Sequence, residues 1–184
     1  HHHIIHGTAC GAWWSGPQDA YGVPQTMMAD GTPNGYGILT IKGSTSRHQY
    51  KAFRRPTGFQ MHVDVSKMSS ADDDGAGMVF ANVFNAWPDA DVKMRIDRKG
   101  TWLPMERMLQ PDPVFVGYRA RSDRVAERPW RDPPRPRTCQ HLWAARPPEG
   151  LPAGTHIVEI KASNPDGQVF RGARVIRVAP SGAG

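Results

Sequence analysis

The sequence has few cysteines and lacks long apolar runs, and each shortage excludes a class of protein. Its two cysteines, Cys10 and Cys139, have no metal-type spacing and cannot build a disulfide framework. The two cysteines could form one long-range disulfide bond if the protein is exported, or they could remain separate thiols. No segment approaches the length of a membrane-spanning helix. No basic-then-apolar leader is present, so we expect that a leader was removed or that the chain begins inside a longer protein.

Catalytic motifs are also missing. The sequence contains neither a G-x-S-x-G nucleophile motif nor a glycine-rich loop that could cradle a phosphate. The carboxylates fall mostly in predicted turns, whereas acid–base catalysis needs a positioned pair. Ser15 has no identifiable His or Asp partner, and Cys10 near His6 fits a buried structural thiol better than a catalytic dyad. We therefore expect no catalysis by this chain alone.

Two clusters of polar side chains suggest metal binding, but a simpler interpretation is favoured for each. The histidines at 1–3 could be a metal site, since His1 and His3 would share a strand face, or an expression-tag remnant, and no third ligand is nearby in sequence. The aspartates at 72–74 precede a glycine, but calcium loops usually alternate their ligands, so a solvated turn is predicted. We expect no metal or cofactor in this chain.

Positive charge is concentrated in one stretch of the chain. The formal net charge is +6, and residues 119–137 contain seven arginines and four prolines. Proline removes backbone donors and restricts φ, which predicts an Arg/Pro-rich surface loop insertion over residues 119–138. Arginines beside Trp130 could form a patch that binds an anion or nucleic acid. A solvated loop neutralised by nearby Asp and Glu is favoured, because nothing else here is typical of a nucleic-acid-binding module.

Turn-forming residues are abundant, with 19 glycines and 17 prolines, and hydrophobic residues make up 39% of the chain. This composition favours many short strands, and the length allows a hydrophobic core that needs no disulfide bonds or metal ions for stability. Alternation and apolar runs predict strands at residues 37–42, 48–54, 59–65, 78–85, 91–97, 156–162 and 169–178. A turn at Gly43 and Ser44 makes the first two a hairpin. Residues 78–85 and 91–97 are predicted to be adjacent strands, and a helical turn is expected only at 105–109.

These strands predict an all-β protein, in the form of a β-sandwich, with a loop-rich N-terminal portion and little helix. The last two strands are joined by a turn at residues 164–167 (NPDG), as at the end of immunoglobulin-like and fibronectin-like sandwiches. No internal repeat is present. We predict a single domain over residues 1–184 with a disordered tail at 180–184.

Residues 11–16 (GAWWSG) and 30–36 (DGTPNGY) contain the strongest binding candidates. In a strand, two adjacent tryptophans would point to opposite faces, one into the core and the other over a loop or a partner. Aromatic faces beside polar turns suit a sugar, a nucleotide base or another domain. The alternative is that they build the core and turns of the first sheet. The candidate residues are Trp13, Trp14, Asp30, Asn34 and Tyr36.

The chain resembles the C-terminal domain of bacterial calcineurin-like metallophosphoesterases. The resemblance covers nearly the whole sequence. It rests on residues 3–16 (HIIHGTACGAWWSG), 22–24 (GVP), 30–36 (DGTPNGY), 82–86 (NVFNA), 141–143 (HLW) and 151–156 (LPAGTH). It adds His141 as a candidate ligand or domain contact and makes the first histidines native. The long Arg/Pro run at residues 119–137 departs from the family pattern.

The resemblance implies a function through a missing neighbour. In that family a preceding catalytic domain carries a dinuclear metal centre on an α/β sandwich. Its D-x-H, G-D-x-x-D, G-N-H-[DE] and G-H-x-H motifs do not occur here, so no catalytic residue can be assigned. The chain is thus expected to be a non-catalytic accessory domain of an exported bacterial hydrolase, periplasmic or secreted.

We expect this accessory domain to pack on the catalytic domain and to shape its substrate mouth through the tryptophans and residues 30–36. The alternative is an independent module that binds carbohydrate or a cell-surface polymer with the same exposed aromatic residues. Neither a membrane span nor a nucleic-acid partner is expected.

Overall fold

The computed structural model describes residues 7–65 and 77–178 of the 184-residue chain. The predictions for residues 1–3, 72–74 and 180–184 lie outside the described residues. Strands make up 47% of the structure and helix makes up 7%, which confirms an all-β protein with little helix. The elements are β1 (Gly35–Lys42), β2 (Thr45–Ala52), β3 (Met61–Val65), β4 (Val79–Val83), β5 (Asp91–Ile96), β6 (Lys99–Pro104), β7 (Glu106–Pro111), α1 (Pro113–Asp123), β8 (Thr138–Ala145), β9 (Gly154–Ser163) and β10 (Val169–Val178).

The described residues group into two compact units. Residues 7–60 and 109–140 form the first, which we name the loop unit. Residues 61–65, 77–108 and 141–178 form the second, which we name the sandwich unit. The chain passes between the units within β7 and within β8. The expectation of a single domain stays a prediction.

Two four-stranded antiparallel sheets, with strand orders β10-β9-β5-β6 and β3-β4-β8-β7, provide the core of the sandwich unit. Val158, Ile160 and Ala162 alternate with half-buried residues along β9. They join Val79 and Val83 of β4 in one hydrophobic cluster. Burial of each large aliphatic side chain contributes about 1.5–3 kcal/mol, so this cluster is a major source of stability. The sandwich prediction is confirmed.

The crossing from β4 to β5 corrects the predicted pairing of residues 78–85 with 91–97. The two strands lie in different sheets, so the prediction that they are adjacent was wrong. Asn164, which is buried, holds the crossing segment: its side-chain oxygen accepts from the Trp87 N–H at 2.9 Å, and its amide donates to the Asn85 carbonyl at 2.9 Å. This partner lies 77 residues from Trp87 in sequence, beyond the reach of a local pattern.

Strand β7 replaces the helical turn that was predicted at residues 105–109. Met105 is buried, and its N–H donates to the Val92 carbonyl at 2.9 Å. β7 then begins at Glu106 and pairs with β8. The helical prediction was wrong because pairing with a distant strand satisfies the backbone groups that a helix would satisfy locally.

The helix α1 begins upstream of the predicted loop and extends into it. Asp112 is its N-cap and accepts from the Phe115 N–H at 2.8 Å, and Pro113 stands at the start, where no donor is needed. Phe115, Tyr118 and Ser122 form the buried side of the helix.

The predicted loop over residues 119–138 was therefore wrong at both ends. Residues 119–123 belong to α1, and Thr138 begins β8. Residues 124–137 contain neither helix nor strand. The Asp112-Pro113 pair is a helix-start signal that precedes the arginines, and it was available in the sequence.

The first sheet is the β1–β2 hairpin, as predicted. Its register pairs Gly35 with Ala52 at the base and Lys42 with Thr45 at the turn. Tyr50 and Ala52 are buried at the base, whereas the apolar residues of the outer half of β1 are exposed. The base of the hairpin positions the turn that precedes β1.

Candidate functional site

Residues 8–16 form a compact turn, which we name the tryptophan turn. Its backbone is closed by the Gly11 N–H, which donates to the Thr8 carbonyl at 3.0 Å, and by the Trp14 N–H, which donates to the Cys10 carbonyl at 3.0 Å. Trp13 and Trp14 both have left-handed backbone conformations, with φ of 60° and 55°. Such conformations are rare for bulky residues and cost about 1–2 kcal/mol each.

Both tryptophan side chains of this turn face solvent. Trp13 is 74% exposed and Trp14 is 52% exposed. The prediction that one of them would point into the core held only for a strand, and it does not apply because the pair lies in a turn. Exposed aromatic area that is held in a strained turn is not explained by the stability of the fold. It marks the turn as a candidate contact surface.

Close packing fixes both ends of the tryptophan turn. A Cβ on Gly11, with φ of 50°, would collide with the Thr26 carbonyl, and the Thr26 hydroxyl donates to the Cys10 carbonyl at 2.6 Å. A Cβ on Gly16, with φ of 93°, would collide with the Tyr118 hydroxyl. Glycine is therefore required at both positions, for its conformation and for its lack of a side chain.

Tyr118 supports the second end of the turn from α1. Its hydroxyl donates to the Gln25 carbonyl at 3.1 Å, and burial raises the pKa of Tyr118 to about 12. The hydroxyl therefore stays protonated at neutral pH and keeps its role as a donor. The Gly16 N–H donates to the Arg131 carbonyl at 2.8 Å, which joins the turn to the segment that follows α1.

Residues 30–36 form a second turn, the aspartate turn, which is bonded to the first. The Asp30 carboxylate accepts from the Thr32 N–H at 2.9 Å. The Asn34 amide donates to the Ala9 carbonyl at 3.1 Å, and the Gly35 N–H donates to the Thr8 carbonyl at 3.3 Å. Asn34 thus links the aspartate turn to the tryptophan turn directly.

The aspartate turn is also fixed by buried groups beneath it. A Cβ on Gly31 would lie 2.6 Å from the carboxyl carbon of Asp112, the N-cap of α1. The Tyr50 hydroxyl donates to the Pro33 carbonyl, and burial, with a contribution from the Asp30 charge, raises the pKa of Tyr50. These supporting residues were not predicted from the sequence. Only Asp112 had a usable signal, as an aspartate before a proline.

The remaining candidates divide between the two units. Tyr36, in β1, is 43% exposed, and its ring centroid lies 5.4 Å from that of Phe53. His141 belongs to the sandwich unit, where its Nδ1 lies 2.8 Å from the Asn82 side-chain oxygen. The loop unit therefore contains five of the six candidates. The roles of all six stay predictions.

Ion pairs organise part of the Arg/Pro-rich stretch. Arg119 pairs with Asp123 at 2.8 Å and lies 3.7 Å from Asp132, and Arg128 pairs with the same two aspartates at 3.0 and 3.1 Å. The Trp130 indole donates to the Ser122 hydroxyl at 3.2 Å. The segment after α1 therefore folds back along the helix instead of extending into solvent.

The two thiols and Ser15 offer no catalytic arrangement among the described residues. Neither cysteine forms a disulfide bond within the described residues; Cys10 is half-buried and Cys139 is buried. The Cys10 sulfur lies 3.4 Å from the Thr8 hydroxyl. The Ser15 hydroxyl is buried, and no described group hydrogen-bonds to it.

One charged pair in the sandwich unit had no sequence signal. His156 Nδ1 lies 2.7 Å from Asp97 Oδ2, and His156 Nε2 lies 2.8 Å from the Pro152 carbonyl. Because both ring nitrogens face acceptors, the hydrogen bond to Asp97 and then that to Pro152 raise the pKa of His156. The same bond from His156 lowers the pKa of Asp97, which also accepts from the Ile157 N–H at 2.8 Å.

The described fold and site define a β-rich protein that combines a sandwich unit with a loop unit exposing aromatic and arginine side chains. A family model described as the C-terminal of calcineurin-like phosphoesterase matches residues 3–170. The chain belongs to this family, which implies a linked phosphoesterase catalytic domain. No curated protein and no solved structure was found to match the chain.

The described residues do not fit the dinuclear metal centre that the resemblance places in the catalytic domain. Within residues 7–65 and 77–178, no group of three or more His, Cys, Asp or Glu side chains could hold a metal ion. Both ring nitrogens of His156 are already engaged, and His141 contacts an amide oxygen. We assign no metal-dependent step to these residues. In the same part of the chain, no helix is long and apolar enough to cross a membrane.

Proposed function

We propose that this chain is a non-catalytic accessory domain that packs on the catalytic domain of a calcineurin-like phosphoesterase and shapes its substrate mouth. The family match supports the linked catalytic domain. The observation that carries the proposal is the tryptophan turn, with two exposed indoles in strained conformations on a rigid frame. The family match does not favour the alternative of an independent carbohydrate-binding module.

Rigid support makes the tryptophan turn suitable for this role. Its two ends are fixed at Gly11 and Gly16, and Asn34 bonds it to the aspartate turn. An aromatic side chain that is already positioned loses little conformational entropy when it meets a partner. Two such indoles can therefore contribute strongly to a domain contact or to the wall of a substrate site.

The test uses the protein with its linked catalytic domain and compares Trp13→Ala/Trp14→Ala with Tyr21→Ala. Tyr21 is 80% exposed and belongs to the same unit, so it controls for the loss of exposed aromatic area. If the pair lines the substrate mouth, the double variant raises KM about tenfold with little change in kcat, as expected for lost binding. Tyr21→Ala should leave both constants unchanged. Unchanged constants in the double variant would contradict the proposal.

The resemblance also supports an extracytoplasmic location for the parent protein, either periplasmic or secreted. Fractionation of cells that express the natural gene tests this, and recovery of the protein only in the cytoplasmic fraction would contradict it.

A further inference from the structure

Positive charge in the loop unit exceeds what its acidic residues neutralise. Residues 119–137 contain seven arginines but three acidic side chains. The two aspartates at 123 and 132 are both used by Arg119 and Arg128. Within the described part of the chain, five exposed arginines make no ion pair: Arg121, Arg124, Arg131, Arg135 and Arg137. The favoured expectation of a neutralised loop therefore accounts for two arginines only.

Arg121 and Arg124 have a structural explanation, and the other three do not. Arg121 lies in the last turn of α1 and Arg124 caps it, where cations are stabilised by the helix dipole. Arg131, Arg135 and Arg137 lie in residues 131–137 (RDPPRPR), which we name the arginine strap. No helix end or described carboxylate explains the strap arginines.

The backbone of the strap is held at both ends and in the middle. The Arg131 carbonyl accepts from the Gly16 N–H at 2.8 Å, and the Arg137 N–H donates to the Ala29 carbonyl at 2.9 Å. Between them, the Arg119 guanidinium donates to the carbonyl of Pro133, which is buried. Three prolines further restrict the backbone. The arginine side chains thus project from a pre-organised segment.

These anchors attach the strap to the tryptophan turn and to the residue that precedes the aspartate turn. Its first end is bonded to Gly16 of the tryptophan turn, and its last end is bonded to Ala29, which precedes Asp30. The arginines and the tryptophans are far apart in the sequence. The structure joins them within one unit.

We propose that the arginine strap is a binding site for the phosphate groups of a phosphate-bearing ligand. Guanidinium groups bind phosphate oxygens in a bidentate manner and remain charged at any physiological pH. A local excess of positive charge also attracts such anions from solution. The choice of phosphate rests on the link to a phosphoesterase in the proposed function, and the proposal assigns the contact with the phosphate groups to the strap arginines.

The test measures the binding of inorganic tripolyphosphate to the 184-residue chain by calorimetry at low ionic strength. Arg131→Gln/Arg135→Gln is compared with Arg171→Gln/Arg177→Gln, which removes the same charge from exposed positions on β10. We expect the strap variant to raise Kd about tenfold and the β10 variant to leave it nearly unchanged, since bonds to charged groups are the strong ones. Equal losses in both variants, or no binding by the unsubstituted chain, would overturn the proposal.

A second titration, with citrate at the same ionic strength, separates phosphate recognition from general attraction of anions. Weaker binding of citrate than of tripolyphosphate supports the proposal, and equal binding contradicts it. If the binding prediction for the strap fails, the proposed packing on the catalytic domain is not contradicted. That function is tested separately, through the tryptophans in the linked protein. Failure of the tryptophan test likewise leaves the strap binding measurement unaffected.

Discussion

Trp13 and Trp14 show how single residues define the candidate surface. Each occupies a left-handed conformation that costs about 1–2 kcal/mol, and neither offsets this by complete burial. Gly11 and Gly16, in contrast, have positive φ at sites where a Cβ would collide with a neighbour. The glycines are explained by packing, whereas packing within the described residues does not explain the exposed tryptophans.

The Asp97–His156 pair predicts a pH-dependent contribution to stability. Because the pKa of His156 is raised from 6.5, its contribution is fully present below pH 6.5 and is lost as pH rises through the raised value. Because the pKa of Asp97 is lowered from 3.8, its contribution is present above pH 3.8 and is lost as pH falls through the lowered value. The thermal midpoint of Asp97→Asn should therefore fall furthest below that of the unsubstituted chain between these two pH values.

Asp89→Asn is the control for this pH dependence, because Asp89 is exposed and its substitution removes the same charge. Its thermal midpoint should follow that of the unsubstituted chain from pH 3 to pH 9. A deficit of Asp97→Asn that does not change across this range would show that the pair contributes only neutral hydrogen bonds.

Among the elements, the tryptophan turn, the aspartate turn and the arginine strap are joined by direct backbone and side-chain hydrogen bonds. α1 supports them through Asp112 at its start and Tyr118 at its midpoint. The helix therefore serves as the platform on which irregular segments are held. This explains how a region with few strands can keep a defined surface.

Gly16→Ala should disrupt this assembly more than Gly22→Ala. Both glycines have positive φ, at 93° and 75°, so each substitution has a conformational cost of about 1–2 kcal/mol. Only the Gly16 Cβ would meet a neighbour, the Tyr118 hydroxyl, whereas nothing lies within 4 Å of a Cβ on Gly22. Urea denaturation should give Gly16→Ala the larger loss of unfolding free energy, by about 1 kcal/mol or more.

Tyr118→Phe combined with Gly16→Ala separates the collision from other causes. Removal of the hydroxyl should recover part of the loss, because the clashing atom is absent. Equal losses for the two alanine substitutions would show that the turn is not packed against Tyr118.

The whole chain pairs a sandwich unit, whose core comes from both large sheets, with a loop unit that contains the exposed aromatic residues and most of the excess positive charge. The sandwich unit contributes stability through buried aliphatic residues such as Ile160 and Val158. The loop unit contributes the surface. This division fits an accessory domain, whose work is done by contact and not by chemistry.

The 184-residue chain alone should show no metal-dependent turnover of p-nitrophenyl phosphate in the presence of manganese. The reason is that no catalytic motif of the family occurs in its sequence. The measurement compares the release of nitrophenol with a protein-free blank and with a chelator-treated sample. Turnover that scales with the chain and is abolished by the chelator would contradict the assignment of a non-catalytic role.

The strands of the sandwich were largely predictable because their alternation is a local property of the sequence. The last strand, at residues 169–178, was predicted with the bounds it has as β10, and the β1–β2 hairpin follows from its turn at Gly43. The family also followed from local motifs, since residues 11–16 and 30–36 combine rare residues in a specific order. Burial on one face imposes such patterns directly on the chain.

Tertiary structure alone decided the assignment of strands to sheets and the environment of the candidate residues. β4 and β5 lie in different sheets, and the distant Asn164 bonds the segment between them. Trp13 and Trp14 are exposed on a turn whose glycines pack against Thr26 and Tyr118. The arginine strap bonds to Gly16 of the tryptophan turn and to Ala29, next to the aspartate turn, through backbone groups, which no side-chain pattern reports. Contacts between residues that are distant in sequence depend on the folded path of the chain. Local periodicity and turn motifs do not reveal that path.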